Sequence, residues 1–500
     1  MAEETKQKDG KMENGNGVTL SDQTEPMLPT STEKTAWKSI YIGGSCSFIQ
    51  ATQFAIFFAS MWPYILTLDP EVKQSSFGIV VATYSFSQCI FSPVFGYWSN
   101  QIGQVRLPLI VGFVIMALGN LTYLSLQYWS SNHLYVMMGA RLIAGAGTGN
   151  MSLLRAYAST ASTSKDRSRA IACVSGGIAI GSMVGPGLQL LFAPLGAEGV
   201  TICGLTISIY TSPALFCLCL NAIGLVIVIF AFEEKYIIKM EKDVEDGSDN
   251  SEQKAKLSKL ASPDMIALLV CVFTRFSQIF LNTTIESIGS AYTMMMFSLE
   301  KEEAVTVNAG IHTISGAIAA SMYVIFIFTG VRAYIKTRIF TLISLVIPLV
   351  WLFATYPYSF YSEKVKLMTN GSNADCDIEK YDWCEDLPTV PEWTYFVGFV
   401  LVFGVSFSFM NITVTTLFSK VVGPRPQGTY QGIYQMAGSF GRLIAPLLMS
   451  TTYTIFGPTM PWQILIVNMV VIIAAWLILR DRMVPFEKYE AKQVEPVEKC

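Results

Sequence analysis

The sequence predicts an all-α membrane protein that crosses the bilayer many times. The chain has 500 residues, of which 52% are hydrophobic and only 14% are charged, and its mean hydropathy is +0.44. Soluble domains carry more charge than this, so the composition indicates a polytopic membrane protein. Apolar runs of about 20 residues, the length that spans a bilayer as a helix, recur along the chain.

Twelve such runs are found, and we number them as spans in chain order. They lie roughly at 40–66, 77–98, 107–127, 134–157, 169–192, 208–232, 264–296, 303–328, 337–356, 393–417, 428–452 and 462–480. A charged segment after the sixth span predicts two six-helix halves. The expected organisation is a disordered cytosolic tail at 1–39, an N-terminal half at 40–232, a cytosolic linker at 233–261, a C-terminal half at 262–482 and a cytosolic tail at 483–500.

The distribution of Lys and Arg predicts which side of the membrane faces the cytosol. With a cytosolic N-terminus, most of the 34 Lys and Arg fall in cytosolic segments. Those expected on the far side are Lys73, Lys301, Lys364, Lys366 and Lys380. This asymmetry follows the positive-inside rule, so both termini are expected in the cytosol.

The longest far-side loop, at about 357–392, carries features of a non-cytosolic segment. Asn370 begins an Asn-Gly-Ser glycosylation sequon. Cys376 and Cys384 lie in the same loop, where an oxidising compartment would allow them to form a disulfide.

The fourth span carries two arginines in an otherwise apolar run. Arg141 and Arg155 are 14 residues apart, which places them on nearly the same helix face, roughly 21 Å apart along the axis. Charges in such a position usually face a bundle interior or a water-filled path. Gly145 and Gly149 lie between them, and we expect these glycines to form a surface for close helix packing.

The seventh span contains Arg275 and Glu286, which are too far apart along the helix to pair with each other. Arg141 and Glu286 fall at similar depth, so we hypothesise an interaction between them across a central cavity. The alternative, in which backbone groups or water bind the Arg141 and Glu286 side chains separately, fits equally well. For Arg155, snorkelling to the cytosolic interface and a positive site at the inner mouth of the path both remain open.

The charge balance within the spans favours an anion. Four arginines (Arg141, Arg155, Arg275 and Arg442) face one glutamate, and a positive interior lowers the cost of bringing an anion into low dielectric. If protons move with the solute, Glu286 is the expected carrier, since both histidines fall near predicted span ends. Uncharged polar groups that can line the path include Gln50, Gln53 and Asn282, although helix–helix hydrogen bonding is the commoner use of such residues.

No enzyme signature accompanies these features. The chain has no P-loop, no clustered Cys and His and no nucleophile elbow, so we expect neither an enzyme nor a cofactor or metal. The basic clusters are short loops and do not form a nucleic-acid surface. The expected partners are a small solute and the lipid bilayer, and the oligomeric state is left open.

Three local patterns, in order and in the right spans, resemble motifs of the major facilitator superfamily. The first is the turn after the second span with Gly96, Asn100, Gly103 and Arg106, where Asn100 stands in place of the usual aspartate. The second is Arg141-x-x-x-Gly145-x-Gly147-x-Gly149 in the fourth span, and the third is Gly185-Pro186 in the fifth, a pattern that thins and kinks a helix. The resemblance implies that spans one, four, seven and ten line a central cavity. It also implies that spans five, eight and eleven share the gating interface. Arg442 lies in span eleven, where a structural role and contact with the solute fit it equally well.

A closer resemblance is to the major facilitator superfamily domain-containing protein 8 group, which includes a lysosomal membrane protein of the neuronal ceroid lipofuscinosis type. It rests on Ser60-Met61-Trp62-Pro63-Tyr64, on Ser92-Pro93-Val94-Phe95-Gly96-Tyr97-Trp98-Ser99-Asn100, on Gly423-Pro424-Arg425-Pro426-Gln427-Gly428-Thr429-Tyr430 and on Gly441-Arg442-Leu443-Ile444-Ala445-Pro446. The resemblance implies an endosomal or lysosomal membrane, with the plasma membrane as the other option, and chloride passage.

The sequence therefore favours transmembrane transport of a small solute, in the first place an anion such as chloride. Two other interpretations stay open. One is a proton-coupled transporter of an organic solute, and the other is a membrane scaffold or receptor that keeps the fold without transport.

Overall fold

The computed structural model describes residues 34–57, 60–69, 72, 74–196, 198–202, 204–237, 262–361, 363–367, 376, 381–486 and 489. Asn370, most of the predicted linker and nearly all of the predicted tails lie outside the described residues. Lys73 and Lys380 also lie outside them.

The described chain is built from helices, with one short antiparallel hairpin, Val200–Ile202 with Leu205–Ile207, between the fifth and sixth spans. The α-helices are Trp37–Ile56 and Met61–Leu68 (first span), Gln74–Ile102 (second), Arg106–Ser125 (third), His133–Thr148 and Met151–Thr160 (fourth), Arg167–Gln189 (fifth), Ser212–Val226 (sixth), Met265–Phe297 (seventh), Lys301–Phe328 (eighth), Thr337–Ala354 (ninth), Glu392–Val400 and Phe407–Val422 (tenth), Gly428–Phe456 (eleventh) and Thr459–Ile478 (twelfth). π-Helical turns at Ile227–Ala231 and Leu401–Ser406 extend the sixth span and join the two helices of the tenth.

Nine helices in the described parts of the chain are long and apolar enough to cross a membrane by length and composition. This confirms the predicted all-α membrane fold. The first, fourth and eleventh of the twelve predicted spans are not among the nine, so the count of twelve membrane-crossing helices stays a prediction. All three are helical, but the first and fourth are interrupted, and the eleventh is long and rich in polar side chains.

The interruptions have local causes. In the fourth span the backbone N–H groups of Gly149 and Asn150 donate to carbonyls three residues back, at 3.1 and 3.3 Å, which tightens the helix over one turn. The glycines before this turn favour helix least among residues other than proline. In the first span the second helix carries Pro63 near its start, and proline disfavours helix in the residues that precede it.

Parts of both predicted tails are ordered against the bundle. The first helix begins at Trp37, within the tail predicted at 1–39. At the other end of the chain, Met483, Val484 and Phe486 are buried, within the tail predicted at 483–500. The ring of Phe486 lies under the guanidinium of Arg425, whose Cζ is 4.8 Å from the ring centroid.

Contacts between segments distant in sequence define two ends of the bundle. At one end Lys38 pairs with Glu233 at 3.2 Å, and Arg482 pairs with Asp264 at 3.8 Å. We call this the inner end, because it holds the segments predicted to be cytosolic. At the opposite, outer end the Trp462 indole donates to Thr355 at 3.0 Å.

Close packing of two helix pairs shapes the interior. The fifth span packs along the first, where a Cβ on Gly181 would lie 2.5 Å from the Phe48 carbonyl oxygen and one on Gly177 would overlap the Gly44 carbonyl. The eleventh span packs along the second in the same way, where a Cβ on Gly432 would lie 2.6 Å from the Ser92 carbonyl oxygen. The first pair joins two of the first six spans, and the second pair joins the first six spans to the last six.

We expect Gly177→Ala to lower the thermal stability of the purified protein. The new methyl group meets backbone, which cannot rotate away, and overpacking of this kind costs about 1–3 kcal/mol. Gly187→Ala is the matched control, because it lies in the same helix and its Cβ meets nothing within 4 Å. Equal unfolding temperatures for the two variants, measured by fluorescence-detected thermal unfolding, would contradict this packing.

Candidate functional site

Arg155 lies in the interior of the bundle, at its contact with the eleventh span. Its side chain is only 1% exposed. One terminal nitrogen donates to Oε1 of Gln435, which lies in the eleventh span. Snorkelling of Arg155 to the cytosolic interface is not found, because the eleventh span packs over this part of the fourth span and covers the side chain.

Arg275 lies in a polar cluster formed by the seventh, eighth and tenth spans. Its Nη1 donates at 3.0 Å to Oε1 of Gln278 and at 3.0 Å to Oδ1 of Asn411. The amide of Asn411 in turn donates to the hydroxyl of Tyr323 at 2.9 Å. The Tyr434 ring from the eleventh span lies 5.6 Å from the Arg275 Cζ. The eleventh-span residues that contact Arg155 and Arg275, Gln435 and Tyr434, are adjacent in the chain.

Arg141 and Arg442 rest on aromatic rings. The Cζ of Arg141 lies 4.8 Å from the Tyr84 ring centroid and 5.0 Å from that of Phe57. The Cζ of Arg442 lies 4.6 Å from the Phe54 ring, which is itself 4.9 Å from the Tyr84 ring. Such cation–π contacts stabilise a guanidinium without neutralising its charge.

The partners of these four arginines are neutral. Within the described residues, none of the four forms an ion pair with a carboxylate, and the Nε atoms of Arg141, Arg155 and Arg275 have no hydrogen-bond partner. Removing a cation from water costs several kcal/mol even after relaxation, unless an opposite charge offsets the cost. The four arginines therefore place net positive charge inside the bundle.

The hypothesised pair of Arg141 and Glu286 is not formed. Glu286 is exposed and accepts a hydrogen bond from the amide of Asn282 at 2.6 Å. The arginine on which its charge acts is Arg442. Arg141 is instead enclosed by Phe57 and Tyr84, which come from the first and second spans and hold its guanidinium within the first six spans.

The glutamines of the first span have different environments. Gln53 donates to Oδ1 of Asn221 at 2.8 Å and accepts from Asn120 at 3.1 Å, which joins the first, third and sixth spans. This is a packing role. Gln50 is fully buried, and neither its amide nitrogen nor its carbonyl oxygen has a partner in the described structure.

Asn100 joins the second and eleventh spans at the inner end. Its Oδ1 accepts from the backbone N–H of Gly428 at 3.0 Å, and its Nδ2 donates to the Thr429 hydroxyl at 2.8 Å. Gly428 begins the eleventh helix, so this amide satisfies one of the free N–H groups at that helix start. Gly96 lets the backbones meet here, because a Cβ would overlap the Gly428 carbonyl.

The other motif residues have packing or capping roles. Gly103 has a φ of +69°, which turns the chain between the second and third spans. Arg106 donates to the carbonyls of Val228 and Ile229, the last turn of the sixth span. Gly145 and Gly149 pack against the backbone at Tyr84 and Phe91, and Gly185 packs against Ala55. The helix of the fifth span continues through Pro186 to Gln189.

In the outer loop, Cys376 and Cys384 form a disulfide with Cα atoms 5.8 Å apart. The neighbouring Trp383 packs on Gly457, and its indole donates to the Thr454 carbonyl at 3.3 Å. This contact holds the loop against the outer end of the eleventh span.

Sequence reasoning missed Gln278, Tyr323, Tyr434 and Gln435 as partners of the arginines. Gln435 had a readable signal, since it precedes Arg442 by seven residues, about two helical turns on the same face. Tyr323 had none, because a tyrosine in an apolar span is usually packing.

The sequence matches the family model of the Major Facilitator Superfamily over residues 44–369 and 387–498. The chain belongs to this superfamily of membrane transporters. It is 29% identical to major facilitator superfamily domain-containing protein 8 of Xenopus laevis over 488 residues, covering 91% of this chain and 94% of that protein.

Solved structures show the same fold. The human organic anion transporter MFSD10 (TETRAN) superposes with a TM-score of 0.60 at 14% identity, covering 88% of this chain and 98% of that one. The proton:xylose symporter XylE superposes with a TM-score of 0.65 at 13% identity, covering 91% and 98%. At such identities the comparison supports the architecture alone.

We expect Asn100→Ala to loosen the inner contact between the second and eleventh spans, since it removes both side-chain hydrogen bonds. Asn100→Asp should tighten it, because a carboxylate at a helix start is favoured by about 0.3–1 kcal/mol. Maleimide labelling of Cys89 measures this, since its thiol faces the Met436 carbonyl across the same contact, at 3.7 Å. The other free cysteines would be replaced first. Faster labelling in Asn100→Ala and slower labelling in Asn100→Asp is expected, and equal rates would contradict the role of Asn100.

Proposed function

We propose that this transporter moves a small anion, such as chloride, along a path between the first six and the last six spans. The observation that carries the proposal is the set of buried arginines without a carboxylate partner. Neutral amides and aromatic rings orient the guanidinium groups but leave their charge uncompensated. An anion between the guanidinium groups would compensate their positive charge.

Arg275, Arg442 and Glu286 lie at three depths. Counted from the inner end, Arg275 is about 15 Å along the seventh helix, and Glu286 about 31 Å. Arg442 is about 21 Å along the eleventh helix. An anion entering from the outer end would meet Arg442 first and then Arg155 and Arg275, where the Asn100 contact closes the inner end below them.

The proposed compartment is an endosomal or lysosomal membrane, with both termini cytosolic. The near full-length match to major facilitator superfamily domain-containing protein 8 supports this location. The disulfide between Cys376 and Cys384 supports a non-cytosolic outer loop, because cytosolic thiols are kept reduced.

Anion flux in liposomes that contain the purified protein tests the proposal, with chloride and proton movement recorded under an imposed potential. We expect Arg155→Gln and Arg275→Gln each to lower chloride flux about tenfold or more, because one charged hydrogen-bond partner contributes about 1.5–3 kcal/mol. Arg169→Gln is the charge-matched control, since Arg169 stacks on Trp37 at 4.2 Å at the inner surface. Absence of flux for chloride and for organic anions in well-folded protein would favour a scaffold or receptor.

A second candidate function is proton-coupled transport of an organic solute, and the surroundings of Glu286 favour it. This carboxylate is exposed within the seventh span, and its charge acts on both Arg442 and His312. His312 lies well inside the eighth helix, with its ring 5.0 Å from that of Phe399, so its expected position near a span end was wrong. An ionisable residue inside a transmembrane span is a candidate for a proton pathway.

We expect Glu286→Gln to abolish proton movement and to leave uncoupled anion flux in place, because the amide keeps the contact with Asn282 but cannot carry a proton. Asn282→Ala is the control that removes the hydrogen bond and keeps the carboxylate. Proton movement that survives in Glu286→Gln would exclude Glu286 as the coupling group.

A further inference from the structure

A cleft at the inner end lies apart from the central arginines. Its volume is about 370 Å³. The walls come from the start of the fifth span, the end of the eighth, the start of the ninth and the end of the tenth. It therefore lies between the first six and the last six spans.

The lining of the cleft suits an anion. Lys165 from the fifth-span side and Lys420 from the tenth span contribute positive charge, and the lining contains no acidic residue. Ser168, Thr337 and Thr416 add hydroxyl groups. The hydroxyl of Thr416 is an independent indication of a ligand, since the residue is 1% exposed and its Oγ1 has no hydrogen-bond partner in the described structure.

A carboxylate adjoins this lining in the chain. Asp166 follows Lys165, and its Oδ2 accepts from the Thr35 hydroxyl at 2.9 Å. On the other side, the exposed Lys336 adjoins the lining residue Thr337 and adds further positive charge to the rim.

The level of the cleft corresponds to the membrane interface. Phe328 and Tyr334, at the turn between the eighth and ninth spans, are 70% and 84% exposed. Aromatic side chains in this position are typical of the headgroup layer. Phe326 forms an apolar part of the wall. Basic pockets between spans at this level are suited to phosphate-bearing headgroups.

We propose that this cleft binds a phosphate monoester, with the phosphate between Lys165 and Lys420 and one oxygen accepting from the Thr416 hydroxyl. The headgroup of an anionic lipid and free phosphate share this chemistry. A bound phosphate would connect the fifth span to the tenth and stabilise the conformation closed at the inner end. The site is independent of the anion path proposed above, because it contains none of Arg141, Arg155, Arg275 and Arg442.

Binding of dioctanoyl phosphatidic acid to the full-length protein in detergent, measured by native mass spectrometry and by thermal unfolding, tests the proposal. Dioctanoyl phosphatidylcholine is the zwitterionic control, and inorganic phosphate is the soluble probe. We expect phosphatidic acid to raise the unfolding temperature. We expect Lys165→Gln combined with Lys420→Gln to weaken binding at least about tenfold. Thr416→Val, which preserves shape, should weaken binding to a smaller degree.

Lys38→Gln combined with Lys235→Gln is the charge-matched control, since both exposed lysines pair with Glu233, at 3.2 and 3.1 Å, at the same end of the bundle, outside the cleft. Binding of phosphatidic acid alone supports a lipid headgroup as the ligand, and equal binding of inorganic phosphate supports a soluble phosphate. If neither probe binds, or if the Lys165→Gln, Lys420→Gln double variant binds phosphatidic acid as tightly as the wild-type protein and the control variant do, the proposal is overturned. None of these readouts depends on transport.

Discussion

A guanidinium group that is removed from water needs hydrogen-bond acceptors or aromatic faces around it. The interior of this bundle is arranged around four arginines that have such partners. Arg155 and Arg275 bind amide oxygens, while Arg141 and Arg442 lie on aromatic rings. None of these partners carries negative charge. Hydrogen bonds and cation–π contacts fix the geometry of the cations but do not neutralise them. This uncompensated positive charge is the physical basis for assigning an anion to the path.

The eleventh span connects these groups to both ends of the molecule. Its first residues bind Asn100 at the inner end. In the middle, Gln435 contacts Arg155 and Tyr434 contacts Arg275. Near its outer end, the Thr454 carbonyl accepts a hydrogen bond from the loop residue Trp383. A helix that touches the inner contact, the buried cations and the outer loop can couple the state of one to the state of another. This explains why it is too polar to count among the apolar spans.

The architecture was largely predictable from the sequence, because length and hydropathy report on helices that face lipid. The same signal weakens where a helix faces the interior. The first span breaks before the helix that contains Pro63, and the fourth breaks around Gly149, so both breaks lie near residues that favour helix poorly. Pairings across the bundle were less predictable. Arg141 was matched to Glu286 by depth, but rotation about the helix axis directs it towards Tyr84 and Phe57, and hydropathy does not encode that rotation.

We infer that Arg155 and Arg275 hold an anion when the inner end is closed. Anomalous X-ray diffraction from crystals of the Asn100→Asp protein grown with bromide tests this inference. We expect an anomalous peak between the two guanidinium groups and its loss in Arg275→Gln. Bromide found only at surface lysines, with the interior cations still without an anion, would contradict it.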